Sequence, residues 1–435
     1  MQQGTPRLVC VLCASSYALE DDRVACDCGG LLDVVHDIGL ATERGADAWK
    51  RLFADRRANP ASAGDRSGVW RFRELVLPTL GPAELVTRGE GNTRLYGPEL
   101  SRKANAWMGT ENVSFKHEGE NPTGSFKDRG MTAAMSWAKK RGAKTVVCAS
   151  TGNTSAAVAS YGSLAGIPAV ILISEKGTAL GKVAQSLAYG AKAVMIRGDF
   201  DTALRLVMQA RDRLGLTVMN SINPIRLEGQ KTIIWEALEQ LGWDPPDWFV
   251  VPGGNLGNAA AFGKALREAV DLGFISRMPR LAIVQAEGAN PFYQASQDGW
   301  KRRAMKADTL ATAIKIGDPV NFDKAVRSVR WTNGIVSQVV EQEFMDAKAA
   351  VDSDGVGAEP ASCVTAAGIR KLVREGVIGR TDRVVAVLTG NFLKDPDATM
   401  DYHGGTLAGI VSTMGNAPVV IDPTVEALEA ALASR

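Results

Sequence analysis

From residue 144 to residue 388 short apolar runs alternate with helical stretches, and this alternation limits the chain to few architectures. The apolar runs are Thr145–Ala149, Ala169–Ile173, Ala193–Ile196, Leu216–Met219, Trp248–Val251, Leu281–Gln285 and Val384–Leu388. Helical patterns fill Ala156–Ala165, Lys182–Tyr189, Thr202–Leu214, Gln230–Leu241, Asn258–Asp271 and Cys363–Arg374. Short, wholly apolar strands joined through helices predict buried, mostly parallel sheets with helices on both faces. The number of strands predicts two such sheets, hence two α/β domains. Ligands of open parallel sheets bind at the carboxyl ends of the strands. Three polar clusters occupy such ends: Ser150–Ser155, Gly253–Asn258 and Thr389-Gly390-Asn391.

A fourth stretch, Gly119-Glu120-Asn121-Pro122-Thr123-Gly124-Ser125-Phe126-Lys127-Asp128-Arg129-Gly130, reads as a turn entering a helix. Ser125 is a candidate N-cap and Asp128 completes a capping box; helix then runs from Met131 to Lys140 and closes at Gly142. Lys127 falls in the first helical turn, where the macrodipole disfavours a second positive charge, and Arg129 should add to that. A lysine that loses its proton easily suits Schiff-base chemistry. The residues alone leave this open against a capped helix with a solvated lysine.

Gly253-Gly254-Asn255-Leu256-Gly257 follows a strand and opens a helix, so free N–H groups and close backbone approach favour a phosphate. A dinucleotide loop is the rival, with Glu287 past the next strand, but the spacing is Gly-Gly-x-x-Gly. A plain tight turn also fits. Ser150, Thr151, Asn153 and Thr154 suit a carboxylate or a phenolic oxygen, or an ordinary helix cap. Asn220, Ser221 and Arg226 suit a second phosphate or a surface loop. Gly177–Lys182 resembles a P-loop one residue short, with Val183 where Ser or Thr is required, and is rejected. His36, His117 and His403 show no ligand spacing.

Charge is nearly balanced, 50 Lys and Arg against 48 Asp and Glu, which favours neither nucleic acid nor an anionic membrane as partner. No apolar run reaches membrane-span length, and the N-terminus carries no signal-peptide pattern. Six cysteines among 435 residues make no disulfide scaffold, so a reducing cytoplasm is expected. Cys148 and Cys363 read as packing residues. Residues 1–35 stand apart. There Cys10-x2-Cys13 and Cys26-x-Cys28 resemble a zinc ribbon with Cys10, Cys13, Cys26 and Cys28 as ligands, the second pair one residue short of the usual knuckle. A small hairpin with four reduced thiols remains the alternative.

Taken together, these motifs resemble the threonine synthases, pyridoxal-phosphate enzymes of fold type II, over nearly the whole chain. The most specific block is Pro122-Thr123-Gly124-Ser125-Phe126-Lys127-Asp128-Arg129-Gly130. Ser67-Gly68-Val69-Trp70-Arg71, Gly89-Glu90-Gly91-Asn92-Thr93, Ser150–Ser155, Pro252–Asn258 and Leu388–Asn391 extend it. The resemblance implies a tryptophan synthase β-like fold. Its expected parts are a ribbon-like segment at 1–35, a large cofactor-binding α/β domain at 36–143 and 222–435, and a small α/β domain at 144–221. It implies that Lys127 forms the Schiff base, Asn153 bonds the cofactor's ring oxygen, Gly253, Gly254, Asn255, Leu256 and Gly257 cradle its phosphate, and Thr389 meets its ring nitrogen. Ser150, Thr151 and Thr154 would hold the substrate carboxylate, and Asn220, Ser221 and Arg226 the phosphate of O-phosphohomoserine. The implied reaction is β,γ-replacement by water, giving threonine and phosphate, in an enzyme expected to be a homodimer by analogy with its class. Related enzymes acting on O-phosphoserine, threonine or serine, such as a cysteate synthase or a dehydratase, share most motifs. Arg94 stands where the family usually has proline, and Phe392 where a smaller residue is common; both bear on substrate scope.

Overall fold

The computed structural model describes residues 5–21, 23–37, 43–175, 183–197 and 200–433. Its strands are β1 Arg7–Cys10, β2 Ser16–Ala18, β3 Leu32–Val35, β4 Leu95–Tyr96, β5 Val113–His117, β6 Thr145–Ala149, β7 Ala169–Ser174, β8 Lys192–Ile196, β9 Leu216–Val218, β10 Trp248–Pro252, β11 Arg280–Ala286, β12 Ile335–Val339 and β13 Val384–Leu388. They form three sheets. β2-β1-β3 is antiparallel. β12-β11-β10-β13-β5-β4 is parallel except for β4 at its edge. β8-β7-β6-β9 is parallel throughout.

The apolar runs became the central strands because both their faces are covered. One core, including Phe249, Val251, Leu281, Ile283, Val385 and Val387, covers one face of the larger sheet. A second, including Val250, Ala282, Val284, Ala386 and Leu388, covers the other. The smaller sheet is likewise packed between two clusters. The Lys127–Lys140 helix belongs to both parts: Ala133 and Trp137 enter the first core, Met131, Ala134, Met135 and Ala138 the core of the smaller sheet. It therefore carries Lys127 to the seam between the sheets.

Several local expectations differ from what forms. β5 escapes an apolar-run search because Lys116 and His117 end it, yet Lys116 is fully buried against Glu236 at 2.5 Å. The stretch expected as one helix over Gln230–Leu241 is two, Pro224–Gln230 and Thr232–Gln240, meeting at Lys231. The first starts earlier because Pro224 sits in its first turn and Asn223 caps the Ile225 N–H at 3.0 Å. The capping box on Ser125 is only half made: Ser125 Oγ accepts the Lys127 N–H at 3.4 Å, but the Asp128 carboxylate turns back to Thr123 N–H and Oγ1, both at 2.6 Å. The P-loop-like Gly177–Lys182 lies outside the described residues. Cys148 and Cys363 are buried packing residues, as expected.

Behind the Lys127 helix lies a buried ionic network. Arg129 pairs with Glu118 at 2.6 Å and Glu236 at 2.7 Å, and Glu236 also receives Lys116 and, at 3.3 Å, Arg71. Removing one member of such a network costs on the order of 3–5 kcal/mol, because the remaining charge is left unpaired.

The antiparallel N-terminal sheet docks on the larger part through ions. Asp33 on β3 meets Lys324 at 2.9 Å and also pairs with Arg327. Lys324 donates to the Leu32 carbonyl at 2.7 Å, and Lys264 donates to that of Val34. His36 contacts Glu228 at 2.6 Å, two residues beyond Arg226 on the Pro224–Gln230 helix. No helix among the described residues is long and apolar enough to cross a membrane.

Candidate functional site

The loop before Lys127 is stitched to the residues that leave β13. Ser125 bridges Gly390, Phe126 N–H donates to the Thr389 carbonyl at 3.0 Å, and Asn391 N–H donates to that of Gly124 at 3.0 Å. A Cβ on Gly119 would come within 2.5 Å of the Asn391 nitrogen, so the approach requires glycine. Gly124 holds a left-handed φ of 84°. The turn chemistry of the sequence thus delivers Lys127 to the carboxyl end of β13.

Lys127 is half-buried, and among the described residues no hydrogen bond or ion pair reaches its Nζ, which lies 4.3 Å from the Phe126 ring centre. Withdrawal from water, and secondly the charge of Arg226, lower its pKa to about 7, with Glu359 opposing. Arg129 was the wrong neighbour to credit: it is turned into the ionic network with Glu118 and Glu236.

Asn153 begins the helix after β6, and Thr389 follows β13. The structure joins them through a residue the sequence reading missed. Glu359 accepts from Asn153 Nδ2 at 3.1 Å and from Thr389 Oγ1 at 3.3 Å, and its N–H donates to the Gly390 carbonyl at 3.0 Å. It is buried, and burial raises its pKa above the ordinary glutamate value. The available signal was an acidic residue just before Pro360 and a helix. Ser362, also missed, lies 3.0 Å from Thr389 Oγ1.

Gly253–Gly257 follows β10. A Cβ on Gly253 would meet Gln285 and Ile283 at 2.9 Å, and one on Gly254 would meet Ile314 at 3.1 Å, so the loop is packed from behind. Leu256 takes a left-handed φ of 61° and Gly257 opens the next helix. Asn321 braces the loop through the Asn255 carbonyl and reaches the Ser221 carbonyl at 3.3 Å. Asn258 Oδ1 and Gln230 Oε1 beside it are buried without a hydrogen-bond partner among the described residues. Packed glycines at a helix N-terminus fit a phosphate group. Glu287, the acid of the dinucleotide reading, is exposed.

Arg226 is fully buried. Its Nη1 donates to the Met219 carbonyl at 2.8 Å, while Nε and Nη2 have no hydrogen-bond partner among the described residues. Burial lowers its pKa to about 10. A buried guanidinium with two unused donors fits an anion. Asn220 is engaged differently: its amide accepts from the Ala149 N–H at 3.1 Å and donates to the Ala149 carbonyl at 2.9 Å. It ties this loop to the end of β6, and so to Ser150, Thr151 and Thr154. Ser150 Oγ accepts from the Gly152 N–H at 3.3 Å, and Thr154 is buried.

Away from this seam, Cys10, Cys13, Cys26 and Cys28 converge with all sulfur atoms within 4.8 Å of one another. The short second knuckle does not prevent this, because Gly29 N–H closes on the Cys26 carbonyl at 2.9 Å and Gly30 lies against Cys10. Hydrogen bonding with Ser15 lowers the Cys13 pKa to about 6, while for Cys28 the lowering by the Gly30 backbone is outweighed by the bonds with Cys13, Cys10 and Cys26, which push it up to about 12.

Residues 86–390 match the family described as pyridoxal-phosphate dependent enzyme. The chain is 41% identical over 429 residues to the threonine synthase of Methanosarcina acetivorans, covering 98% of each chain. It is 39% identical over 398 residues to that of Methanocaldococcus jannaschii, covering 90% of this chain and 93% of the relative. Among solved structures, the fold matches Escherichia coli threonine synthase with a TM-score of 0.69 at 19% identity, covering 97% of this chain and 94% of that one. It matches processed threonine deaminase isoform 2 of Solanum lycopersicum with a TM-score of 0.61 at 21% identity, covering 82% and 93%.

Proposed function

The chain belongs to the threonine synthases among the pyridoxal-phosphate dependent enzymes, and from that premise we propose that it converts O-phosphohomoserine and water to threonine and phosphate by β,γ-replacement. One observation carries the substrate assignment. Arg226, whose Nε and Nη2 are unused among the described residues, sits on a helix packed against the Lys127 helix, its carbonyl 3.0 Å from where a Gly130 Cβ would lie, and after burial its charge is what lowers the Lys127 pKa. The group that moves protons and the group that receives phosphate therefore act on one small molecule.

The site fits the cofactor: packed glycines at a helix start for its phosphate, an amide and a hydroxyl for its ring, a partly desolvated lysine for its carbonyl. Gly253, Gly254, Asn255, Leu256 and Gly257 would hold the phosphate, Asn153 the ring oxygen and Thr389 the ring nitrogen. When bound, the cofactor supplies an electron sink for charge developing at the substrate's α-carbon. Ser150, Thr151 and Thr154 orient the substrate carboxylate. Lys127, with its pKa near neutrality, takes the proton from Cα and delivers protons along the chain. Arg226 receives the charge that grows on the phosphate as it leaves Cγ, with Ser221 beside it and Asn220 fixing the loop. Water then adds at Cβ.

This reading treats the chain as two α/β units, 36–143 with 222–435 and 144–221, in a cytoplasmic homodimer whose partners are small molecules. It also places one structural zinc ion on Cys10, Cys13, Cys26 and Cys28, where tetrahedral thiolates would replace a core too small to hold the ribbon. Metal analysis of wild type and Cys10→Ser tests that ion, and zinc well below one per chain would remove it. The function is tested by offering O-phosphohomoserine, O-phosphoserine and threonine separately to the cofactor-loaded enzyme. Threonine and free phosphate from the first alone support it. Turnover of only the second or third would make the protein a synthase or dehydratase of another substrate.

A further inference from the structure

Ser362 Oγ accepts two backbone N–H groups, from Thr389 at 2.8 Å and Gly390 at 3.1 Å. Both its lone pairs are thereby used, so its own proton must be donated, and Thr389 Oγ1 at 3.0 Å is the acceptor. Thr389 is left with one proton to give and one lone pair to fill. Its remaining neighbour here is Glu359 Oε1 at 3.3 Å. If Glu359 is ionised, it takes that proton, and the hydroxyl has none left for a ring nitrogen. If Glu359 carries a proton, it can donate to Thr389 instead, and the Thr389 proton is free to turn to the ring.

Building on the cofactor assignment above, we propose that Glu359 is a positioning residue that must be protonated for Thr389 to donate to the cofactor's ring nitrogen. Its second oxygen meanwhile holds Asn153 Nδ2, which has another N–H for the ring oxygen. One carboxyl group thus sets the orientation of both ring contacts. Its surroundings favour the protonated form: Glu359 is buried, and no ion pair reaches it among the described residues. The charged and titratable groups acting near it are Lys127 at the helix start, Lys394 beyond Asn391 and the Cys363 thiol on its own helix. Burial raises the Glu359 pKa, while the hydrogen bond from Asn153, then the charges of Lys394 and Lys127, and last the bond from Thr389 oppose it without cancelling it.

Linkage fixes the sign. A group protonated in the complex favours binding below its free pKa, and that advantage is lost as pH rises through the bound pKa. Cofactor affinity, measured by equilibrium dialysis without substrate, should contain a Glu359 step of about tenfold per pH unit between those two values. The visible absorbance of the loaded protein should change over the same window. Glu359→Gln, whose amide always donates to Thr389, should lose the step and keep high affinity as pH rises. Glu359 also raises the Lys127 pKa, so Glu359→Gln moves the lysine's titration as well, and the Glu359 step is isolated by Thr389→Val, which leaves that charge in place. Thr389→Val, close to isosteric, should lose the step too and decides the matter if the glutamine variant does not fold. An identical pH dependence in wild type and variant, or no such step in wild type, overturns the inference and leaves the cofactor assignment standing. A protein that takes up no pyridoxal phosphate at any pH overturns both.

Discussion

Asn220 and Ala149 exchange two hydrogen bonds: the side-chain amide accepts from the Ala149 N–H at 3.1 Å and donates to the Ala149 carbonyl at 2.9 Å. Ala149 is the last residue of β6, so this pair clamps the Ser150–Ser155 loop to the loop that leads into the Arg226 helix. The resemblance assigned Asn220 to the substrate's phosphate; its geometry makes it a brace between two subsites. Asn220→Asp replaces the donor with an acceptor facing a buried carbonyl, which should destabilise the fold by about 1–3 kcal/mol. Urea unfolding measures that loss, and KM should rise for the whole substrate. A variant of unchanged stability whose only defect is phosphate inhibition would contradict the brace.

Arg226→Gln removes the buried charge with little change in volume. Charge-assisted hydrogen bonds contribute about 1.5–3 kcal/mol each, so losing two from the leaving phosphate predicts a kcat/KM lower by about 10²–10⁴. The pH profile carries a second signature. Arg226 lowers the Lys127 pKa, so its removal raises it, and the acid limb of kcat, which reports the lysine once substrate is bound and its amine is free, should move to higher pH. An acid limb that stays in place would separate Lys127 from Arg226.

Arg129 tests the opposite expectation. It neighbours Lys127 in sequence but points into the network with Glu118 and Glu236, beside Lys116 and Arg71. Arg129→Met leaves two carboxylates short of a partner and should cost about 3–5 kcal/mol in chemical denaturation. The acid limb assigned to Lys127 should not move, because Arg129 is not among the charges that shift that lysine. A shifted limb at unchanged stability would restore the helix-neighbour account.

What was legible in the sequence was what local chemistry decides. Runs such as Thr145–Ala149 and Val384–Leu388 formed strands over those same residues, because two-sided burial demands uninterrupted apolar side chains. The polar clusters after β6, β10 and β13 fell at strand ends, where the backbone is free to meet a ligand. What was not legible depends on partners far away in the chain. Lys116 makes β5 look half-exposed, yet Glu236, 120 residues on, neutralises it inside. Glu359 gave no motif, since its significance comes from Asn153, 206 residues before it, and Thr389, 30 after. Asp128 looked like a capping residue by spacing, and the tight turn at Thr123 claimed it first.

Asp33 gives a prediction in which pH itself is the probe. Its carboxylate sits between Lys324 and Arg327 on the larger part, and those charges hold its pKa well below the usual carboxylate range despite burial. A depressed acid contributes stability that is complete above its unfolded pKa, about 3.9, and is lost as pH falls through the folded value. Asp33→Asn should therefore lower the unfolding free energy at neutral pH by about 3–5 kcal/mol if both cations are left unpaired. The gap from wild type should narrow steadily below about pH 4, as protonation makes Asp33 resemble asparagine. The same β3 edge leads to His36, whose contact with Glu228 reaches the helix of Arg226, so undocking should also raise KM for the phosphorylated substrate. Urea titrations of both proteins at several pH values, each paired with a KM measurement at neutral pH, test the two halves separately. A pH-independent stability gap would mean that the ribbon is held by its apolar contacts, with the Asp33 ion pairs contributing nothing.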